Sequence, residues 1–160
     1  VKILEIDKNK IIEKLESLNA VKVFDGSIEA EFYFINGKKI RLRKMWNKNI
    51  ITFKESLENE FDWVMANKEY ETEFGDYEIM SWLLTWIWCE KYWGSKKYRT
   101  TYSLGEITYD LDSFSGIPDF MEIEAETQEL VERWVELIWY NMKDTVCMWE
   151  RKLKEFYNIA

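Results

Sequence analysis

Histidine is missing altogether from the 160 residues. That excludes Ser-His and Cys-His nucleophile chemistry and any histidine-ligated metal. Cysteine is nearly missing too. Cys89 and Cys147 make no disulfide framework and no zinc spacing, and both lie in apolar runs, where buried free thiols are expected. One proline and six glycines leave no obvious linker or low-complexity stretch, so a single domain over residues 1–160 is expected. A basic excess is lacking. With 30 acids against 22 bases the net charge is −8, and nucleic acid is not an expected partner, because phosphate backbones need a positive footprint. The longest apolar run, around Ile79 to Cys89, is too short to span a bilayer. The opening residues Val1-Lys2-Ile3-Leu4-Glu5 carry no signal-peptide pattern, and a cytoplasmic location is the default expectation.

What is present is a globular balance of 47% apolar and 32% charged residues, with an excess of aromatics: nine tryptophans, and 17% Phe, Trp and Tyr. Three times a short alternating strand meets a capping residue and a helix begins. The strands are Lys2 to Ile6, Tyr70 to Phe74 and Phe120 to Ala125. The caps are Asp7, Asp76 and Thr127, whose oxygens can accept orphan amide hydrogens of a first helical turn. The helices are expected over Lys8 to Leu18, Tyr77 to about Glu90 and Gln128 to about Trp139, with a last one over Thr145 to Tyr157. Between them, Ile28 to Phe34 and Lys39 to Arg43 flank Asn36-Gly37, a strong hairpin signal. A further strand is expected over Ile50 to Lys54. A second hairpin, Lys96 to Leu104 with Glu106 to Leu111, turns around Gly105. Asp112 to Asp119 reads as a turn-rich acidic loop running into a strand with Glu122 and Glu124 on one face and Met121 and Ile123 on the other. Strands adjacent in sequence dominate, which predicts an antiparallel α+β fold whose sheet can close into a barrel.

The strands share a charged alternation. Arg41 and Arg43 flank Leu42. Glu71 and Glu73 flank Thr72, with Glu69 on the same face. Lys97 and Arg99 flank Tyr98, and Asp110 and Asp112 flank Leu111. Lys54 shares a face with Thr52. Two readings stand side by side. One is an open sheet with a solvated charged face. The other is a barrel with a charged lumen, where Arg and Lys would grip phosphate oxygens and clustered carboxylates would hold Mg²⁺ or Mn²⁺, hard ions that prefer oxygen ligands. In-line attack on phosphorus needs chiefly positioning and charge neutralisation, so the absence of histidine is no obstacle to it.

Together and in order, Arg41-Leu42-Arg43, Ile51-Thr52-Phe53-Lys54, Glu71-Thr72-Glu73, Lys97-Tyr98-Arg99 and Asp112…Gly116…Phe120-Met121-Glu122-Ile123-Glu124 resemble the CYTH superfamily, the triphosphate tunnel metalloenzymes. These include class IV adenylate cyclases, thiamine triphosphatases and inorganic triphosphatases. The resemblance covers nearly the whole chain. It implies an antiparallel eight-stranded tunnel-like barrel with helices packed outside, and, where active, a triphosphatase or an adenylate cyclase-like phosphohydrolase. It implies triphosphate binding by Lys2, Arg41, Arg43, Lys54, Lys97 and Arg99, and Mg²⁺ or Mn²⁺ binding by Glu71, Glu73, Asp112, Glu122 and Glu124. The family's first-strand signature is Glu-x-Glu-x-Lys. Lys2 matches its lysine, and the two leading glutamates have no counterpart in the residues from Val1 on, which predicts a weakened metal site.

The second helix carries more tryptophan than a core face needs. Met80, Leu83, Leu84 and Ile87 suffice for one apolar stripe, while Ile79, Trp82 and Trp86, widened by Trp88 and Cys89, form another. Trp139, Tyr140, Met148 and Trp149 follow in the later helices, and Trp46 and Trp63 lie between strands. Surplus tryptophan on a helix surface marks a contact face, since Trp is enriched at binding hot spots. The alternative expectation is therefore an engineered, non-enzymatic scaffold that presents Trp82, Trp86, Trp88, Trp139 and Trp149 to a partner protein or antibody. The string Ser81 to Trp88 loosely resembles the Trp-rich membrane-proximal helix of the HIV envelope transmembrane subunit.

Overall fold

A computed structural model of the chain describes residues 1–56, 67–125 and 127–159. Trp63 lies outside them. The elements run β1 (Lys2–Ile3), α1 (Lys8–Ser17), β2 (Val21–Ile35), β3 (Lys38–Lys44), β4 (Asn49–Ser56), β5 (Asn67–Phe74), α2 (Tyr77–Trp86), β6 (Glu90–Leu104), β7 (Ile107–Phe114), β8 (Ile117–Glu124), α3 (Gln128–Leu137), β9 (Thr145–Val146) and α4 (Glu150–Phe156). Among the described residues the nine strands form one sheet in the order β5-β4-β3-β2-β6-β7-β8-β1-β9. The α+β class and the antiparallel sheet are as the strand pattern predicts.

The chain divides into two compact units. In the unit formed by residues 26–56 and 67–97, β3 pairs with β2 and β4, and β4 pairs with β5, all antiparallel. Asn36 (φ 48°) and Gly37 (φ 78°) make the β2–β3 turn, both left-handed as a two-residue hairpin loop requires. The period-two alternation sends Tyr33 and Leu42 to one face, where they are buried with Tyr77, Leu84 and Cys89 beneath α2. The opposite face carries Arg41, Arg43, Lys54, Glu69 and Glu71.

In the unit formed by residues 1–25 and 98–159, β7 pairs with β6 and β8, and β1 pairs with β8 and β9. Ile3, Tyr102, Tyr109, Leu111, Met121 and Ile123 from one sheet face are buried against Ile11 and Leu15 of α1 and Val131 and Val135 of α3. Phe114, Ile117 and Phe120 pack on Leu153 of α4. Again the charged residues take the other face.

All three predicted caps are made. Asp7 Oδ1 accepts from Lys10 N at 3.2 Å, Asp76 Oδ1 from Ile79 N at 2.9 Å, and Thr127 Oγ1 from Leu130 N at 3.3 Å. The helix ends are shorter than the apolar pattern predicts, for one repeated reason. After α1, α2, α3 and α4 the chain turns left-handed at Asn19, Trp88, Trp139 and Asn158. The next residue's amide reaches back to Leu15, Leu84, Val135 and Lys154 respectively, closing the same C-terminal motif four times. Helix α2 thus stops at Trp86, Trp88 and Cys89 leave it, and β6 starts at Glu90 rather than Lys96.

Other boundaries move for equally local reasons. The first strand stops at Ile3, short of the left-handed Glu5 (φ 55°). Thr145–Val146 pairs with β1, so the last helix begins only at Glu150. The expected loop over Asp112 to Asp119 is mostly strand: β7 runs to Phe114 and β8 starts at Ile117, joined at Ser115-Gly116 with Gly116 at φ 81°. Cys89 is buried and its thiol pKa is raised by burial, whereas Cys147 is only half-buried.

Asparagine tolerates the left-handed region and tryptophan does not. Trp88 is 89% exposed, so its ring has little burial to lose. Trp88→Gly is expected to gain about 1 kcal/mol, the net of relieved left-handed strain and the larger unfolded-state entropy of glycine. Urea melts check this; an unchanged or lowered midpoint would show that the indole makes a stabilising contact worth the strain.

Candidate functional site

Each unit carries a charged cluster on a face of its own strands. In the unit of β3, β4 and β5 the register sets Arg41 opposite Thr52 and Thr52 opposite Glu71, with Lys54 opposite Glu69. Arg43 pairs with Glu71, and Lys54 with Glu69. Arg41 Nη2 lies 3.4 Å from Glu69 and 3.5 Å from Glu71. Thr52 donates to Glu71 at 2.7 Å and accepts from Arg43 Nη2 at 3.3 Å. Burial opposes the charged form of Glu71. The Thr52 hydroxyl and the charges of Arg43 and Arg41 outweigh it and hold the carboxyl below the usual glutamate range. Arg41 Nε is buried and has no acceptor among the described residues, so this cluster offers a donor for a further oxygen.

In the unit of β7 and β8, Lys2, Glu122, Asp110 and Thr101 face one another across four strands, with Arg99 opposite Asp112. Arg99 sits among three carboxylates. It binds Asp112 bidentately, Nε to Oδ1 and Nη2 to Oδ2, each at 2.6 Å. It also donates to Asp110 Oδ2 through Nη1 and to Glu122 Oε2 through Nη2. Lys2 takes Glu122 Oε1, and the Thr101 hydroxyl takes Asp110 Oδ1 at 2.6 Å. Asp112 is fully buried. Burial alone would lower the pKa of Arg99, but Asp112, then Asp110 and Glu122, raise it well above its ordinary value. Burial pushes the Asp110 carboxyl up, against the opposing pull of Arg99 and Thr101.

The residues expected to bind phosphate and metal are thus brought together in part. Arg41, Arg43, Lys54 and Glu71 meet in one unit, and Lys2, Arg99, Asp112 and Glu122 meet in the other. Lys97 is buried on β6. Glu73 stands apart, paired with Lys48 at 3.3 Å, and Glu124 is exposed at the end of β8. Asp110 and Glu69 belong to the clusters but not to the family-implied set. Their period-two spacing from Asp112 and Glu71 is the signal that places them. The tryptophans expected on the surface are mostly there. Trp82 (61%) and Trp86 (67%) are exposed and stacked with ring centroids 5.9 Å apart. Trp88 lies beyond the helix end. In the other unit, Trp139 is exposed under Lys14, 4.6 Å from its ring, and Trp149 is half-buried at the start of α4.

A divalent cation does not fit the carboxylates as they stand. Among the described residues no group of three or more Cys, Asp and Glu side chains is disposed to hold one. Glu71 is engaged by Arg43, Arg41 and Thr52, and Asp112, Asp110 and Glu122 by Arg99.

No protein-family model matches the chain, and no curated protein matches it. Solved structures do. PH1012 from Pyrococcus horikoshii OT3 is 22% identical over 96% of this chain and 98% of its own, with a TM-score of 0.81. The fold is that of the CYTH proteins. A Vibrio parahaemolyticus protein proposed to be an adenylate cyclase shares this CYTH fold at 15% identity, covering 97% of both chains with a TM-score of 0.77. HpAC1 from Hippeastrum, reported to have a dominant triphosphatase activity, follows at 16% identity over 85% of this chain and 83% of its own, with a TM-score of 0.58. Among the described residues no helix is long and apolar enough to cross a membrane.

Proposed function

We propose that this chain is a CYTH protein that binds a small molecule bearing a triphosphate, with Arg41, Arg43 and Lys54 as the phosphate grip of their unit and Thr52 as a neutral donor beside them. What carries the reading is the arrangement on β3 and β4: cationic side chains on one sheet face, pre-positioned by Glu69 and Glu71, with a buried guanidinium N–H at Arg41 that has no acceptor among the described residues. A phosphate oxygen satisfies such a donor, and arginine binds phosphate bidentately where lysine acts as a point charge. The triphosphatase activity reported for HpAC1 names the same ligand class. Trp82 and Trp86 take no part in this reading.

The test is a thermal melt with and without inorganic tripolyphosphate, run against sulfate at matched ionic strength. Ligand at a hundredfold above its dissociation constant is expected to add about 2.7 kcal/mol of stability. An unmoved midpoint at millimolar tripolyphosphate would reject the proposal. Phosphate release, followed in the same samples with and without Mg²⁺, reports turnover separately from binding.

A further inference from the structure

The six carboxylate oxygens of Asp110, Asp112 and Glu122 each have a protein donor. Arg99 takes both oxygens of Asp112, Oδ2 of Asp110 and Oε2 of Glu122. Thr101 takes Oδ1 of Asp110, and Lys2 takes Oε1 of Glu122. A Mg²⁺ or Mn²⁺ ion needs about six oxygen ligands in an octahedron. It could gain even two from this cluster only by displacing a guanidinium from a bidentate, buried pairing, and it would then sit a few ångströms from that same positive charge. We infer that Arg99 is the resident cation of this cluster: it occupies the place a divalent metal would take, and the cluster excludes metal as long as that guanidinium is there.

The inference goes beyond the triphosphate reading and does not depend on it, because cation binding is measured without any phosphate present. The probe is Mn²⁺, followed by the loss of its free-ion electron paramagnetic resonance signal. The wild-type chain is expected to show no tight Mn²⁺ site at this cluster. Arg99→Met removes the charge and releases four oxygens from three residues. It is expected to bind one Mn²⁺ at least about a hundredfold more tightly than the wild type, from the lost repulsion of one unit charge at contact distance. Arg99→Lys keeps a positive charge and is expected to behave as the wild type. Near-ultraviolet circular dichroism reports whether each variant is folded. If Arg99→Met does not fold, Arg99→Met/Asp110→Asn, with one buried carboxylate fewer, carries the same test. A tight site in the wild type that disappears in Asp112→Asn would overturn the inference. So would a folded Arg99→Met chain with no gain in Mn²⁺ affinity.

Discussion

Arg99→Met is expected to cost about 3–5 kcal/mol of folding stability at neutral pH without added metal, the usual penalty for removing one partner of a buried ion cluster. The side chain is 12% exposed, and its loss strands Asp112, which is fully buried, beside Asp110 and Glu122. That is a large share of a small domain's stability, which is about 5–15 kcal/mol. The loss has a predictable pH dependence. The Asp110 carboxyl is already raised above 3.8 by burial in the wild type. A carboxyl with a raised folded-state pKa binds more protons in the folded than in the unfolded chain, so stability falls as pH rises through the window between the two values. Without Arg99 that window moves further upward, since the positive charge that opposed the shift is gone. The deficit of Arg99→Met is therefore expected to be largest near neutrality and to narrow as pH falls toward 4. Urea midpoints of both chains from pH 4 to 8 measure it. A deficit independent of pH would mean that lost packing, not stranded charge, is the cause.

Arg41→Ala/Arg43→Ala is expected to weaken tripolyphosphate binding by about 10²–10⁴-fold while lowering stability by only about 1 kcal/mol or less per pair lost. The contrast with Arg99 is one of environment. Glu71, the shared partner of Arg41 and Arg43, is 39% exposed, so water can solvate it when the arginines go. There is one pH cost to watch. Glu71 is held below 4.5 by Thr52 and the arginines, so its contribution is present above that value and is lost as pH falls through the lowered one. Binding is best compared at pH 7, where Glu71 is ionised in both chains. Isothermal titration with tripolyphosphate gives the affinities, and unchanged affinity in a folded double variant would remove these arginines from the phosphate grip.

Period-two alternation, Asn36-Gly37 and the caps at Asp7, Asp76 and Thr127 were readable because each is a local rule, satisfied by neighbours within four residues. The same alternation placed Arg41 with Arg43, Asp110 with Asp112 and Glu122 with Glu124 on common strand faces. Helix ends were not readable. Apolar spacing continues through Ile87, Trp88 and Cys89, and nothing local announces that a tryptophan will take the left-handed position normally left to glycine or asparagine. Nor does the sequence distinguish Glu122 from Glu124: two residues of strand separate a carboxylate clasped by Lys2 and Arg99 from one in water.

The sequence by itself determined the α+β class, the faces of the strands and the charge each face carries, because alternation and capping act over a few residues. Only the tertiary structure decided which opposite charges meet. Arg99 is bound by carboxylates from two neighbouring strands, 11, 13 and 23 residues away. Strand register sets those partners, and register is settled by how the buried faces pack, with Leu111 opposite Met121 and Tyr109 opposite Ile123. Whether a carboxylate is open to a metal or already holds a guanidinium follows from that packing, and no motif encodes it.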